Sequence, residues 1–285
     1  MIPKRCIKLS DRKHIDLPMV GLGTYPITGD VGKEAIKTAI NLGYRMFDTA
    51  VAYGNETIVG EAIGETLREC NYLTREDFFI ISKLSGSYHR SGLVEKCCQM
   101  SVDRLGLDYV DLYLMHTPVA LMAEDYCTEG RPHPNAIDNT VEPTEAWLGL
   151  ERCYQEGLCR SIGVSNFNAD QIATLISNTA IVPAVNQIEC SIGFNQKSLR
   201  KFCRQQNILV MGYAPLGKQK LPFLNHDLLQ RIARTHGKTA AQIDEGVVPI
   251  VKSANCSRQK ENADIFDFKL TAQQLNELDA LTGSQ

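Results

Sequence analysis

Residues 47–56 read FDTAVAYGNE, and the interpretation of the fold starts from this stretch. An apolar run at 44–47 leads into it and is typical of a buried strand, whereas the closing Gly-Asn pair is typical of a loop that turns into a helix. Asp48 lies at the predicted strand end and Tyr53 in the loop that follows. An acid and a phenol in these places indicate a proton-transfer site, provided that the chain also supplies a cation and a hydrogen-bond donor.

The strand-then-helix pattern repeats along the chain. Most predicted strands are continuous apolar runs, as parallel strands are when helices cover their outer side. The predicted strands lie at 19–24, 44–49, 78–84, 110–116, 161–166, 184–189, 209–215 and 247–253. The amphipathic stretches between them predict helices at 32–43, 56–69, 93–105, 143–156, 169–177, 197–206, 228–235 and 257–265.

Two further short strands are predicted before this alternation, at 7–10 and 15–19, where a polar turn joins them into a hairpin. Strands alternating with helices then predict an α/β fold, a closed (β/α)8 TIM barrel, as a single domain over residues 1–285. The alternative is an open doubly wound sheet, which requires a glycine-rich turn after the first strand. Only Gly21-Leu22-Gly23 is present there, and a lone GxG is weak evidence.

The composition is that of an ordinary globular protein. Hydrophobic residues make up 44% and charged residues 22% of the chain, and the formal net charge is −3. This balance does not favour nucleic acid or an anionic membrane as a partner. No apolar run approaches the ~18 residues that a membrane span needs.

The N-terminal residues lack the apolar core of a secretory signal, which predicts a cytoplasmic protein. The ten cysteines show no CxxC pair and no zinc spacing. We therefore expect reduced thiols, most of them buried, and no metal site.

Polar residues gather at the ends of the predicted strands, and in a barrel these ends meet at one mouth. They are Thr24, Asp48, Lys83, His116, Ser165, Asn166, Gln187, Tyr213, Lys252 and Ser253. A lysine or a histidine that ends an apolar run is, taken alone, more often a solvated or hydrogen-bonded structural residue. Together, however, these residues give one mouth a cation, an acid, an imidazole and several amide and hydroxyl groups beside Tyr53.

Eight motifs carry a family resemblance over almost the whole chain and in the right order. They are GLGTY (21–25), FDTAVAYGNE (47–56), IISKL (80–84), LYLMHTP (112–118), SIGVSNF (161–167), NQIE (186–189), GYAPLG (212–217) and IVKSANCSRQKEN (250–262). This combination resembles the aldo-keto reductase superfamily. The resemblance implies a (β/α)8 barrel closed at the bottom by an N-terminal hairpin. It also implies NADPH-dependent reduction of a small-molecule aldehyde or ketone to an alcohol, without metal.

The resemblance assigns catalytic roles to four residues. Tyr53 is implied as the proton donor, and Lys83 as the cation that lowers the pKa of the phenol from its ordinary ~10. Asp48 is implied to hold Lys83, and His116 to donate a hydrogen bond to the carbonyl oxygen.

The implied cofactor residues lie around the same mouth. Thr24 is assigned to the nicotinamide ribose, Ser165, Asn166 and Gln187 to the carboxamide, Tyr213 to the nicotinamide ring, and Leu216 and Gly217 to the pyrophosphate. Lys252, Ser253, Asn255 and Arg258 are assigned to the adenosine 2′-phosphate, and Glu261 and Asn262 to the adenine. Two cations around one phosphate favour NADP over NAD.

The substrate site departs from the family pattern. Ser85 and Thr117 stand where the family often has tryptophan, while Tyr25 remains. We expect these residues and His116 to form a less aromatic pocket that favours a bulkier, steroid-like carbonyl. The chain ends soon after Leu281, so residues 122–142 are the main candidate for a specificity loop.

The helix before the last strand also departs from the pattern, because only Asp244 and Glu245 separate the TAAQI and GVVPIVKS segments. A helix over 239–245 is only ~10 Å long at 1.5 Å per residue. We expect this shortening to expose apolar barrel surface and to weaken the strand that leads to Lys252.

Two other functions remain open from the sequence. A nucleotide-binding barrel that serves as a non-catalytic regulatory or structural subunit is favoured by the shortened helix and disfavoured by the complete set of catalytic residues. An NAD-linked dehydrogenase on an open sheet needs an acidic ribose ligand after the second strand, where Asp48 lies, but Lys252 and Arg258 are better explained by a phosphate. The resemblance also favours a monomer.

Overall fold

The computed structural model describes residues 2, 4–8, 14–122, 137–217, 225–242 and 247–281. An antiparallel hairpin is formed by β1 (Lys4–Lys8) and β2 (His14–Pro18). The barrel strands are β3 (Gly21–Gly23), β4 (Met46–Asp48), β5 (Phe79–Leu84), β6 (Leu112–Met115), β7 (Ile162–Ser165), β8 (Val185–Glu189), β9 (Leu209–Tyr213) and β10 (Val248–Val251). All neighbours pair in parallel and β10 pairs with β3, so the barrel is closed. The TIM-barrel prediction is confirmed and the open sheet is excluded.

Helices surround the barrel at nearly all the predicted places. They are α1 (Gly29–Asn41), α2 (Glu56–Glu69), α3 (Val94–Leu105), α4 (Pro143–Gln155), α5 (Ala169–Asn178), α6 (Lys197–Gln205), α7 (Asp227–His236) and α8 (Cys256–Ala263). A further helix, α9 (Ala272–Leu281), was not predicted. It buries only Leu278, so its sequence lacks the apolar stripe by which a helix is recognised.

Local signals explain several helix ends. Pro143 is the first residue of α4, where its missing N–H costs no hydrogen bond. Asn168 caps α5, because its side chain accepts a hydrogen bond from the Gln171 backbone while the Gln171 side chain accepts one from Asn168. Gly106 ends α3 with a φ of 61°, a left-handed conformation that glycine adopts without strain.

Gly21 and Gly23, the two glycines of the GxG motif, lie inside β3 and leave room for the neighbouring strand. A Cβ on Gly21 would come within 2.7 Å of Ile250 Cδ1, and one on Gly23 within 3.2 Å of Ile250 Cγ2. These glycines allow β3 and β10 to approach closely in the barrel interior. They therefore do not form the phosphate-binding turn of an open sheet.

The shortened connector is the segment 237–247 between α7 and β10. It contains a short 3-10 helix, Ala240–Gln242, and its residues 243–246 lie outside the described part of the chain. All four residues of β10 are buried, so the expected exposure of apolar barrel surface is wrong for this strand. Gln242 Nε2 donates hydrogen bonds to the backbone oxygens of Glu261 (3.1 Å) and Asp264 (2.6 Å). Lys238 Nζ lies 2.9 Å from Asp264 Oδ2. These polar contacts tie the connector to α8.

The apolar core has two layers. One fills the barrel interior with side chains such as Met46, Ile81 and Leu114, and the other lies between the barrel and its helices. The eight cysteines whose side chains the structure describes are free thiols, six of them buried. Within the described ranges no helix is long and apolar enough to cross a membrane, and no cluster of His, Cys, Asp or Glu is placed to hold a metal.

Candidate active site

Asp48 and Lys83 form a buried ion pair at the carboxyl ends of β4 and β5. Lys83 Nζ lies 2.7 Å from Asp48 Oδ1 and 2.9 Å from the backbone oxygen of Thr49. The Lys83 side chain has no exposed surface. An ammonium is stable in such a place only with a charged partner and satisfied hydrogen bonds, which Asp48 and Thr49 supply.

Tyr53 lies directly above this pair, in a short 3-10 helix (Val51–Tyr53) that ends at Gly54 with a φ of 65°. Lys83 Nζ donates its third hydrogen bond to Tyr53 Oη over 3.2 Å. The ammonium also lies 4.7 Å from the centroid of the Tyr53 ring. The structure therefore brings the predicted acid, cation and phenol into one chain of contacts.

The pKa values of this group differ from the sequence-based expectation. Burial raises the pKa of Tyr53 by more than the Lys83 ammonium lowers it. The pKa of the phenol therefore lies above its ordinary value. The expected net decrease is wrong, although the effect of Lys83 has the expected sign. Burial lowers the pKa of Lys83, but Asp48 and Tyr53 more than offset it, so this pKa is raised and the ammonium keeps its charge.

His116 follows β6, and its ring lies in a T-shaped arrangement with the Tyr53 ring, with the ring centroids 5.6 Å apart. Burial, with smaller contributions from Lys83 and His89, lowers the pKa of His116 to about 3. The imidazole is therefore neutral at physiological pH and can donate one N–H. Its backbone oxygen accepts a hydrogen bond from Asn166 Nδ2 over 3.0 Å.

The predicted substrate residues lie at different depths. Tyr25 is 51% exposed, and its ring centroid is 5.0 Å from that of Tyr53, so it stands at the open mouth. Thr117 is half-buried, and its Oγ1 accepts a hydrogen bond from the Val119 backbone over 3.2 Å. Ser85 is buried. Most of the proposed specificity loop at 122–142 lies outside the described residues.

The predicted carboxamide residues form a network across β7, β8 and β9. Asn166 Nδ2 donates to Ser165 Oγ over 3.1 Å, and Tyr213 Oη donates to Asn166 Oδ1 over 2.9 Å. Asn166 has a φ of 63°, a left-handed conformation that asparagine tolerates better than most residues. Gln187 joins this network and also contacts Asp48: its Nε2 lies 2.7 Å from Asp48 Oδ2. The last contact was not predicted.

Thr24 is buried, and its hydroxyl donates to the backbone oxygen of Asp48 over 2.9 Å. Asn55, which the sequence analysis did not single out, holds this region together. Its Nδ2 donates to the backbone oxygens of Thr24 and Ile27, both over 2.9 Å, and its Oδ1 accepts from Thr49 Oγ1 over 2.7 Å. Its position immediately before α2 was the available signal, because asparagine favours helix N-caps.

The predicted phosphate-binding residues surround the start of α8. Lys252 and Arg258 are exposed, and neither forms an ion pair within the described part of the chain. Asn255 caps α8 by accepting a hydrogen bond from the Arg258 backbone over 3.0 Å. Ser253 Oγ contacts the Asn255 backbone and closes the turn. Two exposed cations beside a helix N-terminus fit a phosphate dianion, so the donor set suits NADP.

The remaining predicted cofactor residues are placed as follows. Leu216 and Gly217 lie in a turn after β9, where the Gly217 backbone donates to the Ala214 oxygen over 2.9 Å. The Glu261 carboxylate accepts a hydrogen bond from Thr239 Oγ1. Asn262 is buried. Glu261 is thus held by the shortened connector, a link that the sequence did not reveal.

Comparisons with known proteins agree with this fold. A model of the aldo/keto reductase family matches residues 19–282. Aldose reductase B of Dictyostelium discoideum is 38% identical over 297 aligned positions, which cover 99% of this chain and 94% of that protein. This alignment is longer than the 285-residue chain, so the relative has residues without a counterpart here. D-galacturonate reductase of Fragaria ananassa is 37% identical, with 93% of this chain and 86% of that protein covered.

Solved structures lead to the same class. The aldose reductase of Schistosoma japonicum has a TM-score of 0.89 and 34% identity, with coverage of 99% of this chain and 94% of that chain. An aldo-keto reductase of Bombyx mori, solved in complex with NADP, has a TM-score of 0.86, 36% identity and the same coverage. The chain therefore belongs to the aldo/keto reductase family. Members of this family are NADP-dependent oxidoreductases, and this chain is one of them.

Proposed function

We propose that this chain reduces an aldehyde or a ketone to an alcohol with NADPH and that Tyr53 is the proton donor. One observation carries the proposal. Lys83 Nζ contacts Asp48 Oδ1 over 2.7 Å and Tyr53 Oη over 3.2 Å, so a buried ammonium lies next to a phenol at the barrel mouth. This arrangement stabilises negative charge on the phenol oxygen when its proton leaves.

The proposed reaction moves one hydride and one proton. Bound NADPH supplies the hydride, which forms the new bond at the carbonyl carbon. As the carbonyl oxygen gains an electron pair, Tyr53 donates its phenolic proton to that oxygen. An alkoxide is a stronger base than a phenolate, whose conjugate acid has a pKa of ~10, so this transfer is favourable. Lys83 then stabilises the Tyr53 phenolate, and Asp48 holds Lys83 in place.

His116 has a different role from Tyr53 in this mechanism. Its pKa of about 3 means that it carries no extra proton at neutral pH, so it cannot serve as the acid there. The raised pKa of Tyr53 keeps its proton available for transfer. We infer that the neutral imidazole donates a hydrogen bond to the carbonyl oxygen and aligns the substrate.

The cofactor roles follow from the two ends of the site. We assign Ser165, Asn166 and Gln187 to the carboxamide and Tyr213 to the nicotinamide ring, because these residues form one network beside Asp48. We assign Lys252 and Arg258 to the 2′-phosphate because they are exposed cations. Thr24, Leu216, Gly217, Ser253, Asn255, Glu261 and Asn262 keep the roles that the family resemblance predicts.

We further propose a preference for bulky, steroid-like carbonyl compounds. The support is the exposure of Tyr25 (51%) beside Tyr53 and of two apolar side chains in the segment after β6, Met122 (43%) and Ile137 (40%). Steady-state reduction of a steroid ketone should show a lower KM than reduction of short aldehydes. A lower KM for short aldehydes than for every steroid ketone contradicts this preference.

The general function is tested by NADPH oxidation with a panel of aldehydes and ketones. NADPH fluorescence quenching on the same samples shows whether the cofactor binds. We expect binding and turnover together. NADPH binding without turnover of any carbonyl compound, both in the wild type and in Tyr53→Phe, would favour the non-catalytic subunit instead.

We also propose that the chain works as a cytoplasmic monomer, as the family resemblance and the composition predict. Sedimentation velocity should give one species near the chain mass of 31.7 kDa. A species of twice that mass at micromolar concentration contradicts the monomer.

A further inference from the structure

Gln187 crosses the barrel. It lies on β8, and Asp48 ends β4, which is four strands away in the ring and therefore on the opposite wall. The Gln187 side chain is buried, and its Nε2 reaches Asp48 Oδ2 over 2.7 Å. Among the contacts of the active site, this one joins the two opposite walls of the mouth.

The contact fixes the orientation of the amide. An ionised carboxylate only accepts hydrogen bonds, so the side of the Gln187 amide that faces Asp48 must be its NH2 group. The two oxygens of Asp48 are then divided between two donors, Lys83 on Oδ1 and Gln187 on Oδ2. Neither oxygen can turn toward another partner without breaking a buried, charge-assisted hydrogen bond.

The backbone of Gln187 is tied to the predicted carboxamide site. Its oxygen accepts hydrogen bonds from Ser165 Oγ (2.8 Å) and from the Asn166 backbone N–H (3.0 Å). The same residue therefore contacts the residues proposed to hold the nicotinamide carboxamide and the acid that holds Lys83. Hydrogen bonds run without a break from Ser165 through Gln187, Asp48 and Lys83 to Tyr53.

We propose that Gln187 is a positioning residue for the proton donor as well as a cofactor contact. By donating to Asp48 across the barrel mouth, it holds the Asp48–Lys83 pair in the orientation that serves Tyr53, and it links cofactor seating to that orientation. This inference rests on the proposed function for its catalytic consequence. The hydrogen bonds that connect Gln187 to Tyr53 through Asp48 and Lys83, however, require neither cofactor nor substrate.

The consequence of removing the contact has a definite sign. Without Gln187, Asp48 depends on Lys83 alone, and the ammonium is drawn toward Asp48 and away from Tyr53. The phenolate of Tyr53 then receives less stabilisation, so its titration midpoint rises further. A merely structural or cofactor-binding role for Gln187 predicts no such change.

The experiment measures the ionisation of Tyr53 directly. 3-Fluorotyrosine is placed at position 53, and fluorine NMR follows its titration in the cofactor-free protein. Gln187→Leu should raise the midpoint by about 1 pH unit, which corresponds to a tenfold change in the ionisation equilibrium. NADPH affinity is measured on the same samples by fluorescence quenching.

Ser165→Ala is the matched control, because Ser165 shares the proposed carboxamide site but its hydroxyl contacts Gln187 only through the backbone oxygen. It should weaken NADPH binding about 2- to 10-fold, the range for one lost hydrogen bond, and leave the Tyr53 titration unchanged. Gln187→Asn retains an amide that is too short to reach Asp48. It keeps the test decisive if the leucine variant does not fold, and it should shift the midpoint in the same direction.

The outcomes separate this inference from the proposed function. If the Gln187 variants weaken NADPH binding as Ser165→Ala does but leave the Tyr53 midpoint unchanged, the positioning role is overturned. If the wild type binds NADPH and reduces no carbonyl compound, the proposed function fails, while the cofactor-free titration still decides the role of Gln187. With turnover, the pH profile of kcat should shift with the midpoint, and kcat should fall more than KM rises.

Discussion

The ammonium of Lys83 lies 3.2 Å from the phenol oxygen of Tyr53 and has no exposed surface. These two residues come from different strand–loop units of the barrel, and their contact depends on Asp48, which compensates the buried positive charge. The arrangement costs desolvation energy, and well-packed apolar residues of similar volume often stabilise a core as well as a buried ion pair does. In the proposed function its value is chemical, because the ammonium is placed to stabilise the Tyr53 phenolate when the proton leaves.

Removal of Lys83 alone should damage stability as well as activity. Lys83→Met leaves the Asp48 carboxylate buried without its charged partner, and we expect a loss of about 3–5 kcal/mol in the free energy of unfolding. Denaturant-induced unfolding followed by circular dichroism measures this loss.

Lys37→Met is the matched control, because Lys37 pairs with Glu65 and Glu69 at the surface. It should cost far less stability than Lys83→Met, because solvent screens an ion pair at the surface. Equal losses in the two lysine variants would show that the buried pair has no special role in the fold.

Acid should destabilise the protein through its buried histidines. Burial lowers the pKa of His89 from 6.5 to about 4, and neither ring nitrogen has a hydrogen-bond partner in the described structure. Between these values the unfolded chain binds a proton that the folded chain does not. The free energy of unfolding therefore falls as the pH falls from 6.5 to about 4, and this contribution levels off below.

His89→Leu removes this proton uptake and should flatten the decrease measured by urea unfolding across that pH range. Ser87→Ala serves as the control, since Ser87 is a buried, non-titrating neighbour in the same segment. An equally steep decrease in His89→Leu would mean that His89 does not titrate as the structure implies.

The connector before β10 should contribute to cofactor binding through α8. Gln242→Ala removes the two hydrogen bonds to the Glu261 and Asp264 backbone oxygens. We expect the free energy of unfolding to fall by about 1–3 kcal/mol, because hydrogen bonds of a buried amide are lost. We also expect weaker NADPH binding.

Gln273→Ala is the amide control on α9, where Gln273 Nε2 donates to Glu277 in an exposed pair one turn along the helix. It should leave NADPH affinity unchanged. Normal NADPH affinity in Gln242→Ala would show that α8 holds its position without the connector.

The preference for NADPH over NADH should depend on Arg258. Arg258→Ala removes one of the two exposed cations at the start of α8, and a charge-assisted bond is worth about 1.5–3 kcal/mol, so NADPH affinity should fall by about 10- to 150-fold. NADH, which lacks the 2′-phosphate, should bind as before.

Lys260→Ala provides the comparison, because Lys260 is an exposed cation in the last turn of the same helix. Fluorescence titrations of both variants with both cofactors decide the question. Parallel losses of NADPH and NADH affinity in Arg258→Ala would place Arg258 elsewhere than at the phosphate.

Much of the fold was predictable because the signals are local. A buried parallel strand such as β5 is a continuous apolar run, and proline at 143 or glycine at 106 marks a helix end by backbone chemistry alone. Helix α9 was missed because it buries a single residue. The hairpin was predicted slightly late in the chain, since the charged residues of β1 hide its strand pattern.

The site was predictable in its residues and less so in its contacts. Asp48, Tyr53, Lys83 and His116 follow from strand ends and family motifs, and the structure brings them together. The Gln187–Asp48 contact joins residues 139 positions apart across the barrel, which no local pattern records. The net pKa shift of Tyr53 depends on burial, which is a property of the folded chain. The single-domain assignment and the individual cofactor and substrate roles remain predictions.

The most direct test of the central claim compares Tyr53→Phe with Tyr25→Phe in NADPH-dependent carbonyl reduction. Both variants lose one phenolic hydroxyl at the mouth, where the two rings lie 5.0 Å apart. If Tyr53 is the proton donor, kcat should fall by about 10²- to 10⁴-fold in Tyr53→Phe alone, with NADPH affinity unchanged in both. Turnover by Tyr53→Phe within a few-fold of the wild type would contradict the account.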